Sequence, residues 1–444
     1  MKHNLLKHQK EGVNWLLGRM VGGLFFSPGL GKTLTVLTTI DILKKAKDID
    51  RVLVIAPLRV CYMVWPREVE KWGFNFSVGI LHGPNKDTVV RQKHDIYVIN
   101  PEGLSWLSRR IGLFKTGKFM LVCDESTLFK NHSSMRFKTL KNMLECFRRR
   151  VILTGTPAPN GLTQLWPQMY ILDRGARLGK NITTFRKKWF TQSFTGYGYD
   201  IINGADEAIY AAINDIVMHK GHDELELPEK FVNYIYVKLP LNAVKAYNDM
   251  KNTFVAFEDL EDDQITAFNA AAKASNLKQI ANGMVYSDNK MPIAVHNEKL
   301  CALEELMESL STPLLIVYEF NHDRDRLIDA FGFPYIGGGI SGQELNSIID
   351  KWNKGKIKGL LIQPMAGGHG LNLQDGGCRD IVFYSMPFDL ELYDQVIARV
   401  HRQGVKESVT VHHIVAGGTV DEKIISVLEG KSTIQQALLE ALKR

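Results

Sequence analysis

Short apolar runs alternate with amphipathic segments in the first 165 residues of the chain, and the same rhythm returns after residue 297. Runs with so few polar positions are typical of strands buried on both faces, as in parallel sheets covered by helices on each side. The sequence therefore predicts an α/β fold with two doubly wound parallel sheets in tandem. The predicted strands cover residues 24–26, 51–57, 95–100, 118–125 and 149–156 in the first half, and 313–320, 358–364, 379–385 and 408–415 in the second.

The stretch between the two repeats has a different pattern. Long helical spans such as residues 241–258 and 264–281 replace the short strands, which predicts a mainly helical insertion. A chain of 444 residues also exceeds what one hydrophobic core usually organises. We therefore expect a first lobe at residues 1–172, a helical insertion and linker at 173–296, and a second lobe at 297–444.

Composition narrows the class of protein. Hydrophobic residues make up 45% of the chain and charged residues 23%, which predicts a folded globular protein, and the net charge of +7 permits a polyanionic partner without requiring one. The five cysteines form no CxxC pair, which disfavours a zinc site or a disulfide framework. No signal-peptide core or long uncharged apolar run is present, so we expect a cytoplasmic protein without a membrane partner. In a bacterial or phage source it would be nucleoid-associated.

The sharpest chemical signal is the glycine-rich segment between the first predicted strand and a predicted helix at residues 33–45. Glycines let the backbone wrap a phosphate chain whose charge faces the helix N-terminus, a lysine reaches the outer phosphates, and a Thr hydroxyl ligates Mg²⁺. The full P-loop pattern has a further glycine where Phe26 stands, and short Gly-Lys-Thr strings also occur in helix caps. The residues predicted to bind ATP phosphates are Pro28, Gly29, Leu30, Gly31, Lys32 and Thr33.

Two adjacent carboxylates, Asp124 and Glu125, end the apolar run at 118–125. A phosphoryl-transfer site needs such a pair: Asp124 would hold Mg²⁺ together with Thr33, and Glu125 would orient and deprotonate the attacking water. An acidic turn after a strand is the alternative. The position of the pair, ~90 residues after a P-loop, favours the catalytic interpretation.

A third signal lies in the second half of the chain. Helical spacing of three and four residues puts Gln395, Arg399 and Arg402 on one predicted helix face. Two guanidiniums on that face could stabilise the charge that develops on a γ-phosphate during hydrolysis. The alternative is a basic helix face exposed to solvent.

These residues together resemble the Swi/Snf-like ATPases of helicase superfamily two, and matching motifs recur in the family order from residue 5 to about residue 425. The resemblance implies two RecA-like lobes that bind ATP and Mg²⁺. It implies that Gln9 reads adenine, that Gly370 contributes to nucleotide binding, and that a coupling motif links hydrolysis to lobe movement. That motif is Thr154, Gly155 and Thr156, and the implied nucleic-acid contacts are Pro57, Leu58, Arg59, Asn100, Asn160, Gln363, Gly367 and Gly368.

The chain also departs from the family pattern. The acidic box usually ends in Ala-His, whereas Ser126 and Thr127 stand here, so the coupling through that His must use another group or be looser. Pro364 and Met365 replace the usual Thr-Arg, which puts a backbone-phosphate contact in doubt and makes Gln363 a candidate substitute.

The resemblance implies an ATP-dependent motor that translocates on double-stranded DNA and remodels or displaces bound partners. A recruiting protein or a displaced protein cargo would be a further partner. One alternative is a strand-separating DNA or RNA helicase. Another is a nucleic-acid-binding scaffold that no longer hydrolyses ATP, against which the intact Lys32, Asp124, Glu125, Arg399 and Arg402 argue.

Overall fold

The computed structural model describes residues 5–430 apart from 116, 156, 159–160, 193–198, 222–226, 254–262, 288, 368–370, 372, 403–404 and 406, with no side-chain description at 253, 263–271 and 366–367. The chain divides into two compact units, Met1–Glu226 and Leu227–Arg444. Each unit contains one parallel sheet with helices packed against it. The predicted fold class, two parallel α/β lobes in tandem, is confirmed.

The first unit is built on a seven-stranded sheet in the order β3-β4-β2-β5-β6-β1-β9, in which every neighbouring pair is parallel. A separate antiparallel pair, β7 and β8, lies outside this sheet. The strands are β1 (Val21–Phe26), β2 (Arg51–Ile55), β3 (Val78–Ile80), β4 (Ile96–Ile99), β5 (Phe119–Asp124), β6 (Phe147–Thr154), β7 (Phe190–Gln192), β8 (Tyr199–Ile201) and β9 (Val217–Lys220). The helices are α1 (Lys7–Leu17), α2 (Lys32–Lys45), α3 (Leu58–Met63), α4 (Trp65–Lys71), α5 (Lys86–Val89), α6 (Leu104–Ser108), α7 (Met135–Lys141), α8 (Leu165–Asp173), α9 (Ile182–Trp189) and α10 (Ala205–Ile213).

Both faces of the first sheet are apolar, and alternate residues of one strand therefore enter different cores. Leu53 and Ile55 of β2 belong to the core that includes the aromatic residues of α7 and α8. Val52 and Val54 of the same strand belong to the core formed with α1 and α2. Burial on both faces explains why the strand sequences are continuous apolar runs.

The second unit is built on a six-stranded parallel sheet in the order β10-β17-β16-β13-β15-β14. A short antiparallel pair, β11 and β12, is separate from it. The strands are β10 (Lys230–Val237), β11 (Met284–Tyr286), β12 (Pro292–Ala294), β13 (Leu314–Val317), β14 (Tyr335–Ile336), β15 (Gly359–Ile362), β16 (Asp380–Phe383) and β17 (Val409–Ala416). The helices are α11 (Leu241–Thr253), α12 (Asp263–Asn282), α13 (Glu298–Ser309), α14 (Asn321–Phe331), α15 (Gly342–Asn353), α16 (Pro364–Gly367), α17 (Leu390–Val400) and α18 (Val420–Leu428).

The stretch at 173–296 contains strands that the sequence pattern did not predict. Strand β9 extends the first sheet at one edge, β10 extends the second, and the division between the units falls between them. An edge strand has one neighbour only, and β10 is largely exposed, with Phe231 and Tyr236 at its surface. No helix in the described part of the chain is both long enough and apolar enough to cross a bilayer.

Candidate active site

The glycine-rich segment forms a tight loop between β1 and α2. Gly29 and Gly31 have φ values of +89° and +76°, a region that residues with a Cβ atom rarely adopt. A Cβ atom at Gly31 would also lie 2.3 Å from Nε2 of Gln9. Leu30 is buried beneath the loop. The loop thus leads directly into the first turn of α2, whose backbone N–H groups have no partners within the helix and suit an anion.

The two polar residues that open α2 are Lys32 and Thr33, and both are half-buried. The Lys32 ammonium donates a 2.6 Å hydrogen bond to the carbonyl oxygen of Phe26, the last residue of β1. This bond folds the side chain back along the loop, so a positive charge lies beside the helix N-terminus. A cation and oriented N–H donors together are what a phosphate chain needs.

Gln9 lies on α1 and packs against the same loop. Its amide nitrogen donates to the carbonyl of Leu30 at 3.2 Å, and its amide oxygen accepts from the N–H of Leu6 at 3.1 Å. Nε2 of His8 lies 3.0 Å from the Leu30 carbonyl oxygen. These contacts place Gln9 at the phosphate loop, and its role as the adenine reader stays a prediction.

Asp124 is the last residue of β5, and it is held by an indole. Nε1 of Trp65, on α4, donates to Oδ2 of Asp124 at 2.9 Å. Burial raises the pKa of Asp124 to about 6; the Trp65 hydrogen bond opposes this, neighbouring Glu125 adds to it, and the Lys32 ammonium opposes it. Lys32 is bonded to the end of β1 and Asp124 ends β5, and both strands pair with β6, so the P-loop cation and the acidic pair lie at one edge of the sheet.

Glu125 has a strained backbone and a fixed side chain. Its φ and ψ are +72° and +76°, in the left-handed region that costs a residue with a Cβ atom roughly 1–2 kcal/mol. Two hydroxyls donate to the same carboxylate oxygen, Oε1: Thr127 Oγ1 at 3.0 Å and Thr154 Oγ1 at 2.9 Å. We call these two contacts the hydroxyl clamp. Such a clamp orients the second carboxylate oxygen, which is what a general base requires.

The residues predicted to couple hydrolysis to movement lie at the end of β6. Thr154 joins the hydroxyl clamp, and a Cβ atom at Gly155 would lie 2.9 Å from Cδ of Pro28 in the phosphate loop. The segment after β6 therefore touches both the carboxylate and the loop. Thr156 and the predicted nucleic-acid contact Asn160 lie outside the described residues.

Ser126, which stands in the acidic box beside Thr127, forms a second link to α8. Its hydroxyl donates to Oε1 of Gln168 at 2.6 Å, and the amide of Gln168 donates to the carbonyls of Pro157 and Gln164. The polar chain from the acidic box to the coupling segment thus passes through hydroxyls and an amide. Gln168 is a candidate for the group that replaces the missing His, and its role in coupling stays a prediction.

The predicted nucleic-acid contacts in the first unit follow two neighbouring strands, β2 and β4. Pro57 and Leu58 lie where α3 begins, Leu58 is 38% exposed, and Arg59 is half-buried. Asn100 follows β4, is buried, and donates from its amide to Oε2 of Glu102 at 2.7 Å. These side chains lie at the carboxyl edge of the sheet, as the acidic pair does.

The predicted catalytic residues of the second unit lie on and after α17. Gln395 is buried, its amide nitrogen donates to Glu391 at 3.0 Å, and its amide oxygen has no hydrogen-bond partner among the described residues. Arg399 is half-buried and lies 3.4 Å from the Leu371 carbonyl oxygen. The prediction that Arg402 shares this helix face is wrong, because α17 ends at Val400. The chain leaves the helix at His401, whose Nε2 contacts the carbonyl of Pro228 at 2.8 Å.

The other predicted residues of the second unit follow β15. Gln363 donates from its amide to the carbonyl of Glu319 at 3.1 Å, and Gly367 is the last residue of the short helix α16. Gly368 and Gly370 lie outside the described residues.

Sequence reasoning gave no role to Trp65, Thr127 or Gln168 at this site. Trp65 reaches Asp124 across 59 positions of the chain, and nothing in the local sequence pairs them. Thr127 was noted only as a departure from a pattern, although a hydroxyl two residues after a catalytic carboxylate could have been tested as a donor. Among the described residues, no group of three or more His, Cys, Asp and Glu side chains is arranged to hold a metal.

Comparison with protein families gives two matches. The SNF2-related domain matches residues 8–305, and the helicase conserved C-terminal domain matches residues 297–404. The first match covers the phosphate loop, the acidic pair and the coupling segment, and the second covers α17 and Arg402.

Two curated relatives differ in how much of their length is matched. Putative protein p41 of Acyrthosiphon pisum secondary endosymbiont phage 1 is 35% identical over 459 residues, 97% of this chain and 97% of the relative. Putative ATP-dependent helicase/translocase YwqA of Bacillus subtilis is 25% identical over 471 residues, and the chain spans about half (49%) of it. Among solved structures, the Sulfolobus solfataricus SWI2/SNF2 ATPase core in complex with dsDNA is 23% identical, with a TM-score of 0.48, covering 97% of this chain and 92% of that one.

Proposed function

The chain belongs to the SNF2-related family of ATPases, and from that premise we propose that it hydrolyses ATP with Mg²⁺ to translocate on double-stranded DNA and to remodel or displace what is bound there. The observation that carries the catalytic part is the hydroxyl clamp on Glu125 beside Asp124 and Lys32. The backbone strain at Glu125 costs free energy that folding alone does not explain, and such strain is typical of catalytic positions.

The residues present fit ATP and Mg²⁺. The phosphate loop excludes a Cβ atom at Gly31 and leaves the first turn of α2 for an anion. Mg²⁺ keeps several waters and needs one or two carboxylates beside substrate phosphates, so a single buried carboxylate suffices. Asp124 and the Thr33 hydroxyl are the donors that would hold the metal.

Each of the proposed site residues in the first unit then has its own role. Lys32 binds the outer phosphates, Asp124 and Thr33 hold the cation, and Glu125 accepts the proton of the attacking water at its free carboxylate oxygen. Trp65 fixes the orientation of Asp124 through the indole hydrogen bond. The cation, when bound, neutralises charge on the phosphates.

Arg399 and Arg402 supply the remaining positive charge. We assign them to the developing charge on the γ-phosphate, with Gln395 as a polar neighbour whose buried amide oxygen lacks a described partner. Since these residues and Lys32 belong to different units, turnover would depend on the movement that the motor uses to step.

The test is steady-state ATPase activity with no nucleic acid, with duplex DNA, with single-stranded DNA and with RNA. We expect duplex DNA to stimulate ATPase activity most. The Lys32→Ala variant, which should not turn over ATP, is the control. Equal or greater stimulation by single strands or RNA would favour the strand-separating helicase. Nucleic-acid binding without any turnover would favour the non-hydrolysing scaffold.

A further inference from the structure

The positive charge of the chain is concentrated in one segment. Residues 126–192 contain thirteen Lys and Arg against two acidic residues, Glu145 and Asp173. Since the whole chain carries only +7, the remaining residues are together net negative. A local excess of this size is typical of surfaces that bind polyanions, whereas a modest net charge by itself is not informative.

Several arginines of this segment have structural partners and do not form that surface. Arg148 and Arg149 lie in β6 and pair with Asp48, and Arg150 donates to backbone carbonyls. Both acidic residues of the segment are likewise occupied, Glu145 by Arg174 and Asp173 by Arg177.

Six of the other cations lie on α7 and α9, two helices that both pack against α8. Phe137 and Leu140 of α7 face inwards, and Phe137 packs against Trp166 with ring centroids 5.8 Å apart. Phe185 anchors α9 in the same core. The cations are left on the outer surfaces, and among the described residues none of them forms a salt bridge. This basic face comprises Arg136, Lys138, Lys141, Arg186, Lys187 and Lys188, all exposed except the half-buried Arg186.

Cations of both helices lie near one residue, His132. His132 precedes α7, and its pKa is lowered by burial and then by the charges of Arg186 from α9 and Lys138 from α7. Positive charge from both helices therefore acts on the same ring.

Aromatic rings hold several of these cations in place. Lys141 lies over Tyr170 at 4.7 Å, and Lys188 lies over Trp189 at 4.2 Å. The attraction comes from the ring quadrupole, which carries no net charge. The side chains are thus oriented while their positive charge remains uncompensated, which is the state that a phosphate backbone neutralises.

We propose that the basic face is a contact surface for the phosphate backbone of double-stranded DNA, separate from the predicted contacts at residues 57–59. This inference rests on the proposed function, because the DNA is the one along which the motor moves. Each of α7 and α9 packs against α8, and packed helices lie about 8–10 Å apart, so the cations of the two helices spread over a face on the order of 10–20 Å wide. A duplex carries one charge per about 1.7 Å of its axis, so a face of that width meets several phosphates.

The test compares two triple variants with the same change in charge. The first combines Lys138→Gln, Arg186→Gln and Lys188→Gln on the basic face. The control combines Lys45→Gln, Lys93→Gln and Lys115→Gln, three exposed lysines of the first unit that lie outside the basic face, at the end of the sheet where β2, β4 and β5 begin. Duplex affinity is measured by fluorescence anisotropy over a range of salt, beside thermal melting and ATPase activity without DNA.

We expect the basic-face variant to bind duplex DNA roughly tenfold or more weakly, and its salt slope to be smaller by up to about 3, since each lost phosphate contact removes about 0.9. Its melting and its DNA-free ATPase activity should match the wild type, and the control should change little. Equal affinity and slope in the two variants overturn this inference and leave the proposed function intact. If the basic-face variant loses DNA-free ATPase activity by the same factor as it loses DNA affinity, the inference is also overturned, because the residues would then serve the fold. A wild-type chain that does not bind duplex DNA overturns both proposals.

Discussion

Replacing Thr127 with valine removes one hydroxyl from the hydroxyl clamp and keeps the shape of the side chain. The hydroxyl donates to Oε1 of Glu125 at 3.0 Å, and Thr154 donates to the same oxygen at 2.9 Å. A hydrogen bond to a charged group contributes about 1.5–3 kcal/mol, and each 1.36 kcal/mol of transition-state stabilisation is tenfold in rate. Because Thr154 remains as a second donor, we expect the lower end of this range, a fall in kcat of about tenfold.

The expected signature is a change in kcat with little change in KM for ATP, because Thr127 lies outside the phosphate loop. Thr127→Ser keeps the donor and should retain kcat within about threefold, if the hydroxyl is what matters. Both variants are measured by steady-state ATPase activity with saturating duplex DNA. Wild-type kcat in the valine variant, or equal loss in the serine variant, would refute the claim that the clamp positions Glu125.

Four further outcomes follow from the site and the second unit. Glu125→Gln should bind nucleotide but turn it over at least ~100-fold more slowly in the same assay, the scale for losing a general base. Arg402→Ala should bind ATP normally in a titration and lose roughly 10³-fold or more of its turnover, with no stimulation by DNA. Asp124→Asn should raise the free energy of unfolding at pH 8 without nucleotide by up to about 3 kcal/mol, because the pKa rises from 3.8 to about 6 in the folded chain. In denaturant titrations this gain in the free energy of unfolding should shrink as pH falls through about 6. It should vanish below about 4, where Asp124 of the wild type is protonated in both the folded and the unfolded state. Burial lowers the pKa of His413 to about 4, and its ring nitrogens have no hydrogen-bond partner among the described residues. His413→Phe should therefore stabilise the fold and reduce the loss of stability between about pH 6.5 and 4. Melting temperatures measured over this pH range would report both effects.

The central strands and the phosphate loop could be predicted because their determinants are local. The run at 118–125 became β5, Phe119–Asp124, since burial on both faces requires an apolar residue at nearly every position. The loop glycines carry positive φ, which few other residues tolerate, so their pattern is visible in the sequence. The acidic pair was found for the same reason, as the end of a strand of recognisable type.

The features that were missed depend on distant contacts. Helix α17 ends at Val400, where His401 contacts the carbonyl of Pro228, and helical periodicity alone carried the predicted face on to Arg402. Strand β10 pairs with β17 across about 180 positions of the chain, and no local sequence pattern contains that contact. The Trp65 indole reaches Asp124 because α4 lies near the end of β5, a placement that no spacing rule contains.

Displacement of a third strand from a triplex is the most direct test of the claim that ATP hydrolysis drives movement along duplex DNA. The triplex is placed inside a long duplex, so that the protein must travel to reach it. We expect the wild-type chain to release the third strand only with hydrolysable ATP and Mg²⁺, to leave the two duplex strands paired, and Glu125→Gln to release nothing. Duplex-stimulated ATPase activity without release of the third strand, or separation of the duplex itself, would contradict the account.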